Sequence, residues 1–257
     1  MIRVEQANPT EKPWRYLVDH SHQATLYVLP EWLSLHPVEA ALAYDGTEVQ
    51  GGIVVTHSLT PLPFVPYQGM LLRRREDREV AQALIAWAEK RGRPISVWNP
   101  PSLIDIRPFT WRWFDAQVLW QPDIRYTYMT AATTQLEPRC QRNVTEKPVE
   151  ETKSGDWFQR WKSQPWVTDE YEATMAKIAG MDSVSVWTDG DGTVVWGRDG
   201  AERGYYLGSV GRPTNVLLRL IRSHDVSDLV GCNSPARAIF KRGFGGTLRT
   251  AYGMRLI

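Results

Sequence analysis

Asp228-Leu-Val-Gly-Cys-Asn-Ser-Pro-Ala-Arg-Ala-Ile-Phe-Lys-Arg-Gly-Phe-Gly-Gly, residues 228–246, carries the most sharply punctuated succession of elements in the chain. Asp228 to Gly231 reads as a short strand. Ser234 and Pro235 then mark a helix start, because serine suits the cap and proline suits the first helical position, where no N–H is needed. The helix should run to Arg242, with Gly243 ending it and Lys241 and Arg242 favoured by the negative end of its dipole. Lys241 leaves that helix beside a glycine turn, where it can point at a polar group of a substrate. The plainer reading has the dipole explain the cation and packing explain Phe240 and Phe244.

After this helix, Leu248 to Leu256 reads as a closing strand. Upstream, Val184 to Trp187 and Thr193 to Gly197 form a hairpin about Asp189-Gly-Asp-Gly, and Arg203 to Gly208 is a further strand. Gly208-Ser-Val-Gly211-Arg212-Pro213 leads into a helix with Pro213 at its first position and Val216, Leu217, Leu220 and Ile221 on its packing face. The order hairpin, strand, helix, strand, helix, strand is that of a mixed α/β layer. The first half offers a rougher version. Residues 24–33 start as a short strand and turn at Pro30. Asp45-Gly46 between two apolar runs signals a hairpin, and prolines 61, 63 and 66 make a loop. Residues 76–90 form a helix with Val80, Leu84, Trp87 and Ala88 on one face. Pro94 to Trp98 and Asp123 to Tyr128 are strands. Residues 131–155 are polar, and the lobe boundary is placed at their start, giving lobes 1–130 and 131–257. A helix with Asp169 and Glu172 as a capping pair follows, ended by Gly180.

The chain has 257 residues, 42% hydrophobic and 23% charged, enough for a sizeable core. No stretch approaches the roughly 20 apolar residues a membrane helix needs, and the first residues lack an apolar signal core, so a cytoplasmic protein with no membrane partner is expected. Cys140 and Cys232 lack metal-ligand spacing, the histidines are scattered, and no metal site is expected. Free buried thiols are the better reading of both cysteines. The net charge is +1, but residues 201–257 hold eight Arg and one Lys against Glu202, Asp225 and Asp228. That basic third suits a phosphorylated partner, such as coenzyme A, a nucleotide sugar or tRNA, or else forms a solvated face.

Three groups could carry chemistry. Gly208 and Gly211 before a helix N-terminus, with Arg212, can present backbone N–H groups to a phosphate; glycines also end strands for geometric reasons. Lys241 with its glycine turn is the second. Tyr205, Tyr206, Trp98, Arg107, Trp111 and Trp113 form the third, with Phe64, Tyr67 and Gln68 as a further pocket wall, although aromatic residues are more often core. Asp105 is the carboxylate nominated as a base. No Ser-His-Asp set, Walker loop, HExxH or paired-carboxylate motif is present.

The opening stretch resembles the closing motif of the Fem-like branch of the GNAT superfamily, where a short strand precedes a helix ending in Phe-Lys-x-x-Phe-Gly. Leu29-Pro-Glu-Trp-Leu, Pro63-Phe-Val-Pro-Tyr-Gln-Gly, Pro101-Ser-Leu-Ile-Asp-Ile-Arg-Pro-Phe-Thr-Trp, Arg125-Tyr-Thr-Tyr, Arg142-Asn143-Val144 and Tyr205-Tyr206-Leu-Gly follow the family's order over residues 26–255. The resemblance implies an α/β fold of two tandem GNAT-like lobes with a cleft between them. It also implies an N-acyltransferase in which an acceptor amine, on a small molecule or peptide, attacks an activated carbonyl directly. It places catalytic roles on Lys241 and on Tyr206, or on Tyr205 if the alternation is offset by one. Arg142 joins Gly208, Gly211 and Arg212 on the donor side. Tyr67, Gln68, Trp98, Arg107, Tyr205 and Asn233 are the candidate substrate contacts.

No permanently bound cofactor is implied; acyl-CoA or aminoacyl-tRNA serves as co-substrate. The chain departs from the family between Asp123 and Thr168, where most of the basic run is missing and Pro148 interrupts the helix. That ranks a coenzyme A thioester ahead of aminoacyl-tRNA. The competing readings are a non-catalytic binding module on a degenerate GNAT fold and modification of a nucleotide or nucleic acid.

Overall fold

Short β-forming runs punctuated by glycine turns alternate with amphipathic helices, and they assemble into two units in the computed structural model. The structure describes residues 1–74, 77–92, 94–103, 105–110, 120–145, 147–153, 155–199, 202–231 and 233–257. One unit comprises Met1–Arg125 together with Thr250–Ile257, the other Tyr126–Arg249.

In the first unit, β1 (Ile2–Ala7) is followed by α1 (Lys12–His20), a 3-10 turn (Leu26–Val28) and α2 (Pro30–Leu33). Then come β2 (Glu39–Asp45), β3 (Glu48–Val55), β4 (Met70–Leu72), α3 (Arg78–Glu89), β5 (Ile95–Trp98) and α4 (Arg107–Thr110). Strands β1 to β4 form an antiparallel sheet in chain order. Gly46, at φ 60°, makes the turn that the Asp-Gly pair signalled. Asp77 caps α3 by accepting a hydrogen bond from the Val80 N–H at 3.2 Å. The helix buries Val80, Leu84 and Ala88 with Ile53 and Val97 on one face of the sheet. On the other face Trp14 and Leu17 of α1 meet Leu42, Val54 and Leu71. Strand β5 pairs with residues near the C-terminus, Trp98 opposite Gly253 and Ile95 opposite Leu256. Met254 and Leu256 thereby join the core of the first unit.

Residues 24–33 do not begin as a strand. The Val28 N–H bonds to the Thr25 carbonyl and the Leu29 N–H to Leu26, and Pro30 then starts α2. The Val28 carbonyl accepts from the Trp14 indole at 2.9 Å, so this buried segment satisfies its polar groups locally rather than in a ladder.

Strand β6 (Trp120–Ala131) enters the second unit. After it come α5 (Pro138–Gln141), β7 (Glu150–Glu151), α6 (Asp156–Lys162), α7 (Asp169–Ile178), β8 (Val184–Thr188), β9 (Gly192–Asp199) and β10 (Arg203–Gly211). The chain finishes with α8 (Thr214–Arg222), β11 (Val226–Asp228), α9 (Pro235–Arg242) and β12 (Thr247–Leu256). The sheet order in this unit is β6-β11-β10-β9-β8-β7, and β10 with β11 is its parallel pair, joined by α8. Helix α8 packs Val216, Leu217, Leu220 and Ile221 against Val194 and Trp196.

Three sequence readings shift here. Pro213 is the residue before α8 rather than its first residue. Thr168, not Asp169, caps α7 through its side-chain oxygen. The strand expected from Asp228 onward lies instead at Val226–Asp228, because Val230 and Gly231 take φ of 40° and 61°, which no strand can hold. Among the described residues no helix is long and apolar enough to cross a membrane.

Candidate functional site

Strands β10 and β11 pair in parallel over Arg203–Tyr205 and Val226–Asp228, and there the pairing stops. Strand β10 continues to Gly211 against β9, with a register shift between Tyr206 and Gly208 that passes over Leu207. Such a bulge turns one residue's backbone out of the ladder. Strand β11 instead ends at Asp228, and the chain turns through the left-handed Val230 and Gly231. Two parallel strands thus part just beyond Tyr205 and Asp228.

Buried polar groups hold the mouth of this opening. Asp228 is buried, and its Oδ1 accepts from the Val230 N–H at 2.8 Å and from the Thr127 hydroxyl. The Leu229 N–H bonds to the Tyr128 carbonyl at 2.9 Å, and the Asn233 Oδ1 accepts from the Tyr126 N–H at 2.9 Å. Lys241, on the last turn of α9, is 4% exposed. Its Nζ donates to the Gly231 carbonyl at 2.7 Å and to that of Val230, and it stands 5.3 Å from the centroid of the Tyr206 ring. The Tyr206 hydroxyl and the Ser209 Oγ are 2.6 Å apart. Burial pushes the Tyr206 phenol up, against the lowering pull of Ser209 and of Arg237, so the phenol stays protonated at neutral pH. On the other side of the bulge, the open face of Gly208 meets Met175 and the Trp161 indole, which continues an aromatic row through Trp166 to Tyr171.

Of the residues nominated from sequence, Tyr205, Tyr206, Gly208, Asn233 and Lys241 surround this parting. Gly211 and Arg212 lie at the far end of β10. There the Arg212 N–H bonds to the Asp191 carbonyl at 3.1 Å, and Asn215 in the first turn of α8 donates to Asp189 at 3.1 Å. Arg212 is exposed, as is Arg142, the residue that follows α5.

The remaining nominees belong to the first unit. Tyr67 packs edge-on against Tyr27 at 5.8 Å, and the Gln68 N–H bonds to the Trp98 carbonyl at 2.8 Å. The Trp98 ring is covered by Gly253 and by the Arg125 guanidinium at 5.5 Å. Asp105 lines a small cavity with Met70, Leu103 and Phe109, and Arg107 grips its carboxylate with two bonds of 2.8 Å. The Arg107 hydrogen bond holds the Asp105 carboxyl below the usual carboxylate range, which makes it a weak proton acceptor. Cys140 is a buried free thiol; Cys232, Trp111 and Trp113 lie outside the described residues.

Sequence reasoning missed Thr127, Asp228 as a turn anchor, and the left-handed Val230. Asp228 two residues before a turn carries a weak signal, since aspartate accepts from its own backbone two positions on. Valine at positive φ carries none.

No family model matches the sequence, and no curated protein does. Solved structures match it over its whole length. A tandem GNAT protein from the clavulanic acid biosynthesis pathway is 10% identical, covering 100% of this chain and 98% of that chain at a TM-score of 0.53. A conserved protein of unknown function from Bacteroides thetaiotaomicron is 9% identical, with 100% of both chains covered and a TM-score of 0.58. A GNAT-family acetyltransferase from Colwellia psychrerythraea is 8% identical, with 99% of both chains covered and a TM-score of 0.57. The likeness is one of fold: a mixed α/β chain of two GNAT-like units in tandem.

Proposed function

We propose that this chain is an N-acyltransferase that takes an acyl group from a coenzyme A thioester and delivers it to an acceptor amine by direct attack. The observation that carries the reading is the parting of β10 from β11 at a bulge, beside a half-buried, protonated Tyr206. Parted strands leave room for an extended thioester arm. The bulged backbone at Leu207 can turn an amide toward the carbonyl oxygen, where a positioned donor supports the charge that develops on attack.

The amine nitrogen bonds to the carbonyl carbon and sheds its proton to solvent, and the tetrahedral intermediate expels the thiolate. Tyr206 protonates that sulfur and is reprotonated from solvent through Ser209. Holding donor and acceptor together supplies much of the remaining acceleration. Asp105, gripped by Arg107, is given no proton-transfer step.

The clavulanic-acid-pathway protein is described in a form without AcCoA, which supports a thioester donor for this fold. Melting the purified protein with acetyl-CoA, longer acyl-CoAs and aminoacyl-tRNA tests the reading, since a ligand bound by the folded state alone stabilises it by about 2.7 kcal/mol at a hundred times its Kd. A rise with a coenzyme A ester is expected. A rise with aminoacyl-tRNA alone would move the donor to that class, and no rise with either would remove the acyltransferase reading.

A further inference from the structure

Lys241 is the cation that the closing motif singled out, yet its surroundings are those of a clamp. An ammonium withdrawn from water to 4% exposure needs its donors met. Two of its three go to main-chain carbonyls, those of Val230 and Gly231. Both residues are left-handed, at φ 40° and 61°. For glycine that conformation is free, whereas for a β-branched valine it is strained and persists only where the surroundings impose it. Asp228 fixes the same turn from the other side through the Val230 N–H. Lys241 therefore joins α9, the exit of β11 and, through the Tyr206 ring, strand β10.

We infer that Lys241 is a positioning residue, which holds the Val230–Gly231 turn in its left-handed form and so fixes the mouth where β10 and β11 part. It acts on reacting groups only through that turn and Tyr206. The inference rests on the acyltransferase reading for its consequence in catalysis, and on geometry alone for the clamp.

If Lys241 restrains a strained valine, relieving the strain must lessen the need for Lys241. The experiment compares Lys241→Met, Val230→Gly and the double variant with the unaltered chain. Melting temperature and amide exchange at Leu229–Gly231 are read on all of them, neither requiring turnover. Lys241→Met should melt roughly 5 °C lower and exchange about tenfold faster in the turn. Val230→Gly should be close to neutral, because glycine accepts the conformation that valine resists. The double variant should recover at least half of the lost melting temperature. Lys241→Arg, which retains donors for both carbonyls, should keep the turn protected.

Losses that simply add in the double variant would overturn the clamp. Where Lys241→Met does not fold alone, folding of the double variant supports the inference and its failure to fold overturns it. With acyl-CoA turnover in hand, Val230→Gly should restore part of the kcat lost in Lys241→Met. A kcat loss of equal size in both, with normal exchange in the turn, would make Lys241 a direct stabiliser of the reacting groups and overturn the positioning role. An unaltered chain without turnover counts against the acyltransferase reading alone, since melting and exchange judge the clamp without it.

Discussion

Gly208 and Gly211 share strand β10 and are glycine for different reasons. A Cβ on Gly211 would stand 2.3 Å from the Asp191 carbonyl oxygen, and its φ of 72° is one that side chains resist. A Cβ on Gly208 would meet only Met175 at 3.6 Å and Trp161 at 3.7 Å, ordinary contact distances. Folding therefore demands glycine at 211 and tolerates alanine at 208. Gly211→Ala should cost about 1–3 kcal/mol or more in denaturant unfolding. Gly208→Ala should unfold within about 0.5 kcal/mol of the unaltered chain, yet lose its melting shift with acetyl-CoA, because the added methyl stands at the bulge where the donor arm is proposed to run. An unchanged acetyl-CoA shift in Gly208→Ala would take the arm away from the bulge. Sequence made both glycines visible and could not separate them, since a turn and a close approach leave the same letter. Lys241 was visible for the same kind of reason. Its partners were not, because they are carbonyls of a turn whose handedness no residue type announces.

At the scale of elements, the sequence was clearest wherever apolar periodicity and a punctuating residue coincided. Helix α3 ran with the expected face because Val80, Leu84 and Ala88 repeat at helical spacing and Asp77 supplies the cap. The hairpin at Gly46 was legible on the same grounds, and the helix from Pro235 to Arg242 from its punctuation, with Pro235 at its start and Gly243 at its end, although Ser234 makes no side-chain cap bond. Short apolar runs were not, for a run such as Leu26-Tyr-Val fits a strand or a buried turn equally well until its hydrogen-bond partners are known. Helix α7 shows how a boundary slips by one residue. Asp169 and Glu172 mimic a capping pair, but the oxygen that accepts from the Tyr171 N–H is that of Thr168, at 3.4 Å. That bond is long and exposed, so Thr168→Ala should cost about 0.5 kcal/mol, the low end for caps. Asp169→Ala, which touches only the helix dipole, should cost less still. The reverse order in urea unfolding would restore the capping pair read from sequence.

For the whole molecule, chain order and unit membership disagree at one place, and that place is testable. The chain's last residues, Thr250–Ile257, belong to the unit formed by its first 125 residues. Strand β12 runs through the boundary: Arg255 and Leu256 pair with Ser96 and Ile95, and Met254 and Leu256 are buried with Leu84, Ile85 and Ala88 of α3. Composition could not reveal this, because Leu248 to Leu256 reads only as a terminal strand, and nothing in an apolar alternation names the sheet that receives it. The consequence is that an N-terminal helix depends on a C-terminal side chain. Met254→Ala removes a fully buried side chain from the first unit's core, where such truncations cost about 2–5 kcal/mol. Amide exchange should report that loss in α3 and β5 while α8, whose core contains neither Met254 nor Leu256, stays protected. Equal loss of protection in α3 and α8 would mean that the two units unfold as one, and a loss confined to α8 would mean that β12 serves the second unit instead.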